Sequence, residues 1–194
     1  MNFKEYLREA KDNTFVVVYA GRFQPFHANH YETYQNLVKV FGKDNVYIGT
    51  SNKVDPPKSP FNFKEKKSII TTMFPIPKNK VVQVKNPYKP SEITDKYPED
   101  AALISAVGLK DSERLSPKYF TKYPGSTDDL ESKEETVYTY VTPKNTNFFK
   151  GDAFSGTLVR ELIGGDDPTE ILDALYPKKN KKIYELLIQK IGGE

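Results

Sequence analysis

Apolar residues recur along this chain in two rhythms. TFVVVYA (14–20) is a near-continuous apolar run rich in β-branched residues that ends at Gly21, the pattern of a strand buried on both faces. From Asn29, the residues Tyr31, Tyr34, Leu37, Val38 and Phe41 recur at helical spacing until Gly42 stops them. NVYIGTS (45–51) is a second strand, so residues 14–51 read β-loop-α-β, the beginning of a doubly wound α/β sheet. The alternation continues. NFKEKKSIITTMF (62–74) predicts a helix, with Asn62 and Glu65 at capping-box spacing and Ile69, Ile70, Met73 and Phe74 on one face. KVVQV (80–84), AALISAV (101–107) and the alternating TVYTYV (136–141) are the third, fourth and fifth strands. SGTLVRELIGG (155–165), PTEILDALY (168–176) and NKKIYELLIQKI (180–191) are C-terminal helices, and NFKEYLREA (2–10) is a short surface helix ahead of the first strand. NKVDPPKSP (52–60) and the polar, proline-bearing stretch 85–100 are loops, and the turn-rich stretch 115–135 is an insertion or a flap over an active site.

The expectation is one domain over 1–194, with a mainly parallel sheet of about five strands in a core at 14–165 and a helical part at 166–194. An apolar fraction of 37%, with 13 Tyr and 12 Phe, is that of a globular protein, and no internal repeat is visible. The net charge of +3 is mild; it suits anionic small molecules and does not call for nucleic acid. The absence of cysteine excludes disulfides, thiolate metal sites and a cysteine nucleophile. No apolar run approaches the ~20 residues of a membrane span. The N-terminal stretch has no apolar signal core, so a cytoplasmic protein with no membrane partner is expected.

Ligands of open α/β sheets sit outside the carboxyl ends of the strands. Three polar stretches fall at such ends or at helix starts: GRFQPFHANH after the first strand, GLKDSER after the fourth, and FSGTLVR after the fifth. In the first, His27 and His30 lie at i, i+3 where the chain enters a helix, so two imidazoles and the free N–H groups of a helix start can meet one phosphate. A histidine here can also be a helix cap or a core residue. An H-x-x-H pair can ligate metal, but zinc takes three or four protein ligands, and with no cysteine and no third histidine the rest would have to be carboxylates; no protein metal site is expected. In FSGTLVR, Ser155, Thr157 and Arg160 offer hydroxyls, helix-start amides and a permanent cation, a second phosphate cradle, although an ordinary Ser-capped helix has the same spelling. Gly108, Lys110, Asp111 and Arg114 form a charged turn in which Asp111 suits a ribose or base amine and the cations suit phosphate. Lys53, after the second strand, and Tyr88, in the proline-bearing loop, are candidates for binding an acceptor, while the cluster Lys178, Lys179, Lys181 and Lys182 reads as a solvated face.

GRFQPFHANH resembles the G-R-F-Q-P-F-H-x-G-H element of the nucleotidylyltransferase superfamily, in the version found in nicotinamide mononucleotide adenylyltransferases of the archaeal and phage type. FSGTLVR is similar to that superfamily's I-S-x-T-x-x-R element, AVGLKDSER to the strand end between the two, and SPFNFKEKKSII to its P-F-x-x-x-E-[RK] helix start. The resemblance covers residues 14–165 and implies a Rossmann-like fold. It implies that His27 and His30 contact the nucleotide around its α-phosphate. Gly21, Arg22, Phe23 and Gln24 would form the loop under the nucleotide, and Ser155, Thr157 and Arg160 would hold the β- and γ-phosphates. The chain departs from the pattern in three places. Asn29 stands where the family has Gly, and would crowd the nucleotide or hydrogen-bond to it; Gly156 stands where Ser is frequent; and there is no Trp to stack on a nicotinamide ring. The activity implied is transfer of AMP from ATP to a phosphate monoester with release of pyrophosphate, nicotinamide mononucleotide giving NAD, with Mg²⁺ bound through the triphosphate. CTP as donor, a pantetheine, glycerol, sugar or alkyl phosphate as acceptor, and a homo-oligomeric state remain open, as does a catalytically degraded nucleotide- or RNA-binding module on the same fold.

Overall fold

Val16, Val17 and Val18 are fully buried, and the strand they form is the centre of the molecule. A computed structural model describes residues 14–192. In it, β1 (Phe15–Ala20), β2 (Val46–Thr50), β3 (Val81–Gln83), β4 (Ala102–Val107), β5 (Phe120–Lys122) and β6 (Val137–Val141) form one sheet in the order β3-β2-β1-β4-β6-β5. All five pairings are parallel, with Val17 opposite Val46 on one side and Ile104 on the other. The helices are α1 (Ala28–Phe41), α2 (Phe63–Met73), α3 (Ser91–Thr94), α4 (Leu109–Ser112), α5 (Gly156–Ile163), α6 (Thr169–Leu175) and α7 (Lys181–Gly192), and a small antiparallel hairpin pairs β7 (Phe148–Phe149) with β8 (Asp152–Ala153). The chain winds outward from β1 through β2 to β3, then returns to the far side of β1 with β4. The order therefore reverses between β1 and β4, which opens a crevice at their carboxyl ends.

The two faces of the sheet are covered unequally. Val17, Ile48 and Ile104 point into the larger core, against Leu37 and Phe41 of α1, Ile69, Ile70 and Met73 of α2, and Val159, Ile163, Leu172, Leu175 and Leu187 of the C-terminal helices. Val16, Val18 and Leu103 point the other way and meet mainly Val84 and Ile93, the latter on the single turn α3. α2 starts with the capping box that its sequence predicts: Asn62 Oδ1 accepts from the Glu65 N–H at 3.0 Å, and Glu65 Oε2 accepts from the Asn62 N–H at 2.9 Å.

Three expectations change. The sheet has six strands rather than about five, and all of them are parallel. The extra strand, β5, lies inside residues 115–135, so this stretch builds an edge of the sheet; it is tied down by Lys133, whose N–H donates to Ala101 O and whose Nζ donates to Thr94 O at 2.7 Å and Tyr97 O at 3.0 Å. The stretch 85–100 contains α3 because burying Ile93 gives one helical turn an apolar anchor. The helix expected at 2–10 lies outside the described residues. No helix among the described residues is long and apolar enough to cross a membrane. Ile104 is fully buried where the central strands meet the larger core; Ile104→Ala is expected to cost about 2–5 kcal/mol in chemical denaturation, with the loss of buried methyl groups setting the scale.

Candidate active site

The loop that leaves β1 is held in a conformation specific to its sequence. The Gly21 N–H donates to Gly49 O at 3.0 Å, and a Cβ on Gly21 would lie 2.6 Å from the Phe23 ring, so a side chain there would have to displace that ring. Phe23 has φ +46°, the left-handed region that costs a non-glycine residue energy. Its ring is fixed by Tyr19 and Phe26, each 5.2 Å away between centroids, and meets the His30 ring edge-on at 5.1 Å. Gln24 is buried. Its Nε2 donates to Phe61 O and its Oε1 accepts from the Phe61 N–H, both at 2.9 Å, which docks the loop on the start of the α2 segment.

The two histidines stand at the start of α1 with ring centroids 3.8 Å apart. The His27 N–H donates to His30 Nδ1 at 3.2 Å. An Nδ1 that accepts is unprotonated, so the neutral His30 carries its proton on Nε2. Burial pushes the His30 imidazole down to about 3, and burial followed by the neighbouring His30 holds His27 well below the ordinary histidine range. His27 is 2% exposed, and among the described residues neither of its ring nitrogens has a hydrogen-bond partner. The pair is therefore a neutral, desolvated donor set at pH 7 rather than a cation.

The N-terminus of α5 faces this loop. Ser155 caps it, its Oγ accepting from the Leu158 N–H at 3.2 Å. Arg160 Nη1 donates to Gln24 O at 2.7 Å and Nη2 to Thr157 Oγ1 at 3.4 Å, and a Cβ on Gly156 would come within 3.2 Å of Arg160 Nη1. Burial, and then the nearby Arg22, lower the Arg160 pKa. Between the β1 loop, the ends of β4 and β6, and α5 lies a cavity of about 610 Å³ at the β1/β4 crevice. Gly21, Arg22, Phe23, Gln24, His30, Gly108, Asp111, Thr157 and Arg160 all border it. A second cavity of about 540 Å³ shares Gly21, Arg22, Val107 and Asp111 with the first and continues past Lys53, Lys85, Tyr88 and Arg114.

Most of the sequence-predicted residues are thus brought together, with specific exceptions. Ser155 spends its hydroxyl on the cap and does not border the first cavity. His27 also lies off the cavity wall, against His30 and Phe154. Gln24 borders the cavity, but its amide is committed to Phe61. Lys110 lies in α4. Lys53, Tyr88 and Arg114 border only the second cavity. Asn29 does not crowd the cavity; its side chain is 1% exposed and turns instead to the segment before α5.

Sequence reasoning missed Tyr19, Thr33, Lys58, Thr142 and Asn145 on the first cavity's wall. It also missed Lys66, which is 1% exposed on α2. Lys66 Nζ donates to Thr50 Oγ1 at 2.8 Å, to Ser51 O and to Arg22 O at 3.3 Å, all neutral acceptors, and burial lowers its pKa to about 8. A signal existed: Lys66 precedes Ile69, Ile70 and Met73 at the spacing of one buried helix face. Among the described residues, Arg22, Lys58 and Arg160 face a single acid, Asp111, across the first cavity, so its potential favours anions. Among the described residues no group of three or more His, Asp or Glu could hold a metal ion.

The histidine burial has a pH consequence. In an unfolded chain an imidazole titrates near 6.5; folded His30 does so at about 3. Between those values the unfolded state binds a proton that the folded state refuses, so stability is present above about pH 6.5 and is lost as pH falls toward 3. Wild type is expected to lose more denaturation free energy between pH 7 and pH 5 than His30→Gln does, by on the order of 1 kcal/mol. Equal losses would remove the assignment.

The chain is 36% identical over 52 residues to a nicotinamide-nucleotide adenylyltransferase of Methanolobus tindarius; the match covers 27% of this chain and 30% of that relative, so it spans less than a third of the relative's length. The fold is similar to that of Plasmodium falciparum nicotinic acid mononucleotide adenylyltransferase. With its NaAD complex the TM-score is 0.57 at 11% identity, covering 93% of this chain and 98% of that one. With its APC complex the TM-score is 0.53 at 13% identity, covering 92% and 94%. Residues 18–161 match the cytidylyltransferase-like family, a span that takes in the β1 loop, both histidines, α2 with its buried Lys66, the β4 end and the Arg160 turn; the chain belongs to that family.

Proposed function

We propose that this chain is a nucleotidyltransferase in which a phosphate monoester attacks the α-phosphorus of a nucleoside triphosphate. The new P–O bond joins acceptor and nucleotide, the bond to the bridging oxygen breaks, and pyrophosphate leaves. The observation that carries this reading is the single cavity in which His30, the Gly21 loop and the α5 N-terminus with Arg160 face one another. Transfer of this kind needs placed donors and cations more than it needs a base. His30 Nε2–H is the donor available to the α-phosphate, held by the His27 N–H on its other nitrogen. Arg160, Thr157 and the free amides of α5 suit the β- and γ-phosphates. Gly108 and Asp111 suit the nucleoside.

ATP and nicotinamide mononucleotide, giving NAD, are the preferred substrates. The M. tindarius relative is named for that nucleotide, and the Plasmodium enzyme was solved with NaAD. The second cavity suits the acceptor: Lys53, Lys85 and Arg114 for its phosphate and the exposed Tyr88 ring for a planar base in place of the missing Trp. It joins the first cavity at Gly21 and Arg22, so the two phosphates would meet there. Among the described residues Asp111 is the one carboxylate on the nucleotide cavity, which fits Mg²⁺ carried on phosphate oxygens and water rather than in a protein cage. Mg²⁺ would neutralise charge on the triphosphate.

Incubating the chain with ATP or CTP and each candidate acceptor, with detection of pyrophosphate, tests the reading; ATP with nicotinamide mononucleotide is expected to turn over fastest, and no release from any pair would end it. His30→Ala, assayed at a temperature where circular dichroism shows the variant folded, is expected to lower kcat by about 10²–10³, the loss of one transition-state donor setting the scale. Lys66→Met replaces a buried, unpaired charge with an apolar side chain of similar length; its stability is expected to be equal or higher, while triphosphate affinity falls, as calorimetry would show.

A further inference from the structure

Asn29, Glu32 and Thr33 lie at i, i+3 and i+4, on one face of α1, and all three grip the segment that runs from β6 into α5. Asn29 Nδ2 donates to Asn147 O at 3.3 Å and Phe154 O at 3.4 Å, and its Oδ1 accepts from the Asn147 N–H at 3.2 Å. Glu32 accepts from the Thr146 N–H at 3.0 Å, Thr146 Oγ1 at 2.6 Å and Asn147 Nδ2 at 2.8 Å. Thr33 Oγ1 lies 3.0 Å from Asn145 Oδ1. Asn147 and Phe154 immediately flank the β7–β8 hairpin, so a single buried amide closes the neck of that hairpin.

The neck leads straight to the chemistry. Phe154 precedes Ser155, the cap of α5, and Asn29 precedes His30. On the reading proposed above, His30 serves the α-phosphate and α5 the outer phosphates, so Asn29 bridges the elements that carry the two cradles. We infer that Asn29 is a positioning residue that fixes the spacing of the two phosphate cradles across the triphosphate. The chemistry selects asparagine. The site presents two carbonyl oxygens and one N–H, which an amide satisfies; glycine offers neither group, and an aspartate would set a carboxylate against two carbonyls. The residue that departs from the H-x-G-H pattern thus does its work on the side away from the cavity.

The test compares a ligand that spans both cradles with one that fills only the outer one. ATP and inorganic pyrophosphate are titrated by calorimetry into wild type, Asn29→Gly and Asn29→Asp. Both variants are expected to weaken ATP about tenfold, the scale of a small misplacement between binding groups, and to leave pyrophosphate within about twofold. A merely structural role would move both ligands together with the melting temperature, and either that result or unchanged ATP affinity would overturn the inference. If Asn29→Gly does not fold, Glu32→Ala loosens the same segment from its solvent side and is held to the same ratio. A wild type that binds both anions yet releases no pyrophosphate from any substrate pair would sink the enzymatic reading and leave the ratio to decide the inference. A wild type that binds neither anion would overturn both.

Discussion

Gln24 forms three hydrogen bonds with two partners, and the site rests on them. Its side-chain amide pairs with the Phe61 backbone, and its carbonyl oxygen receives Arg160 Nη1, so one residue joins the β1 loop to the α2 start and to α5. The neighbouring Phe23 holds a left-handed backbone, a conformation that persists where surrounding contacts such as these fix it. Its ring in turn presses over Gly21 and against the His30 edge. Loop conformation, histidine placement and arginine placement are therefore one constraint rather than three.

The charges around the cavity divide into two kinds. Lys66 is buried with neutral acceptors only, so its field is not cancelled locally, and three of its bonds end on the strand ends and loop that floor the crevice. The histidines are kept neutral by the same burial that isolates Lys66. The cavity is thus set among fixed cations and neutral imidazoles, and that division follows from desolvation: Lys66 shares its protons among two carbonyls and a hydroxyl, whereas among the described residues the His27 ring nitrogens have no hydrogen-bond partner.

The parts of this molecule that were legible in its sequence are those with long apolar periods or unusual residues. β1, α1, α2 and the C-terminal helices announce themselves because burial repeats over several turns or a whole strand. β5 did not, since FTK is three residues with two of them exposed and its pairing with β6 is a tertiary event. α3 is hidden in the same way behind a single buried Ile93. In the site, Gly21, His30 and Arg160 were legible by type and spacing, but sequence does not say which side of a residue faces a ligand. The spelling therefore sets Gln24 and Ser155 at the nucleotide, whereas their side chains bond protein backbone, and it sets Asn29 to crowd a nucleotide or hydrogen-bond to it, whereas that side chain turns away from the cavity.

The bond from Arg160 to Gln24 joins residues 136 positions apart. The wall that Arg160 completes is therefore a tertiary product of both halves of the described chain, and no local segment contains the cavity. A ligand that fills it would bind the packed state alone and, by mass action, would draw the chain toward that state.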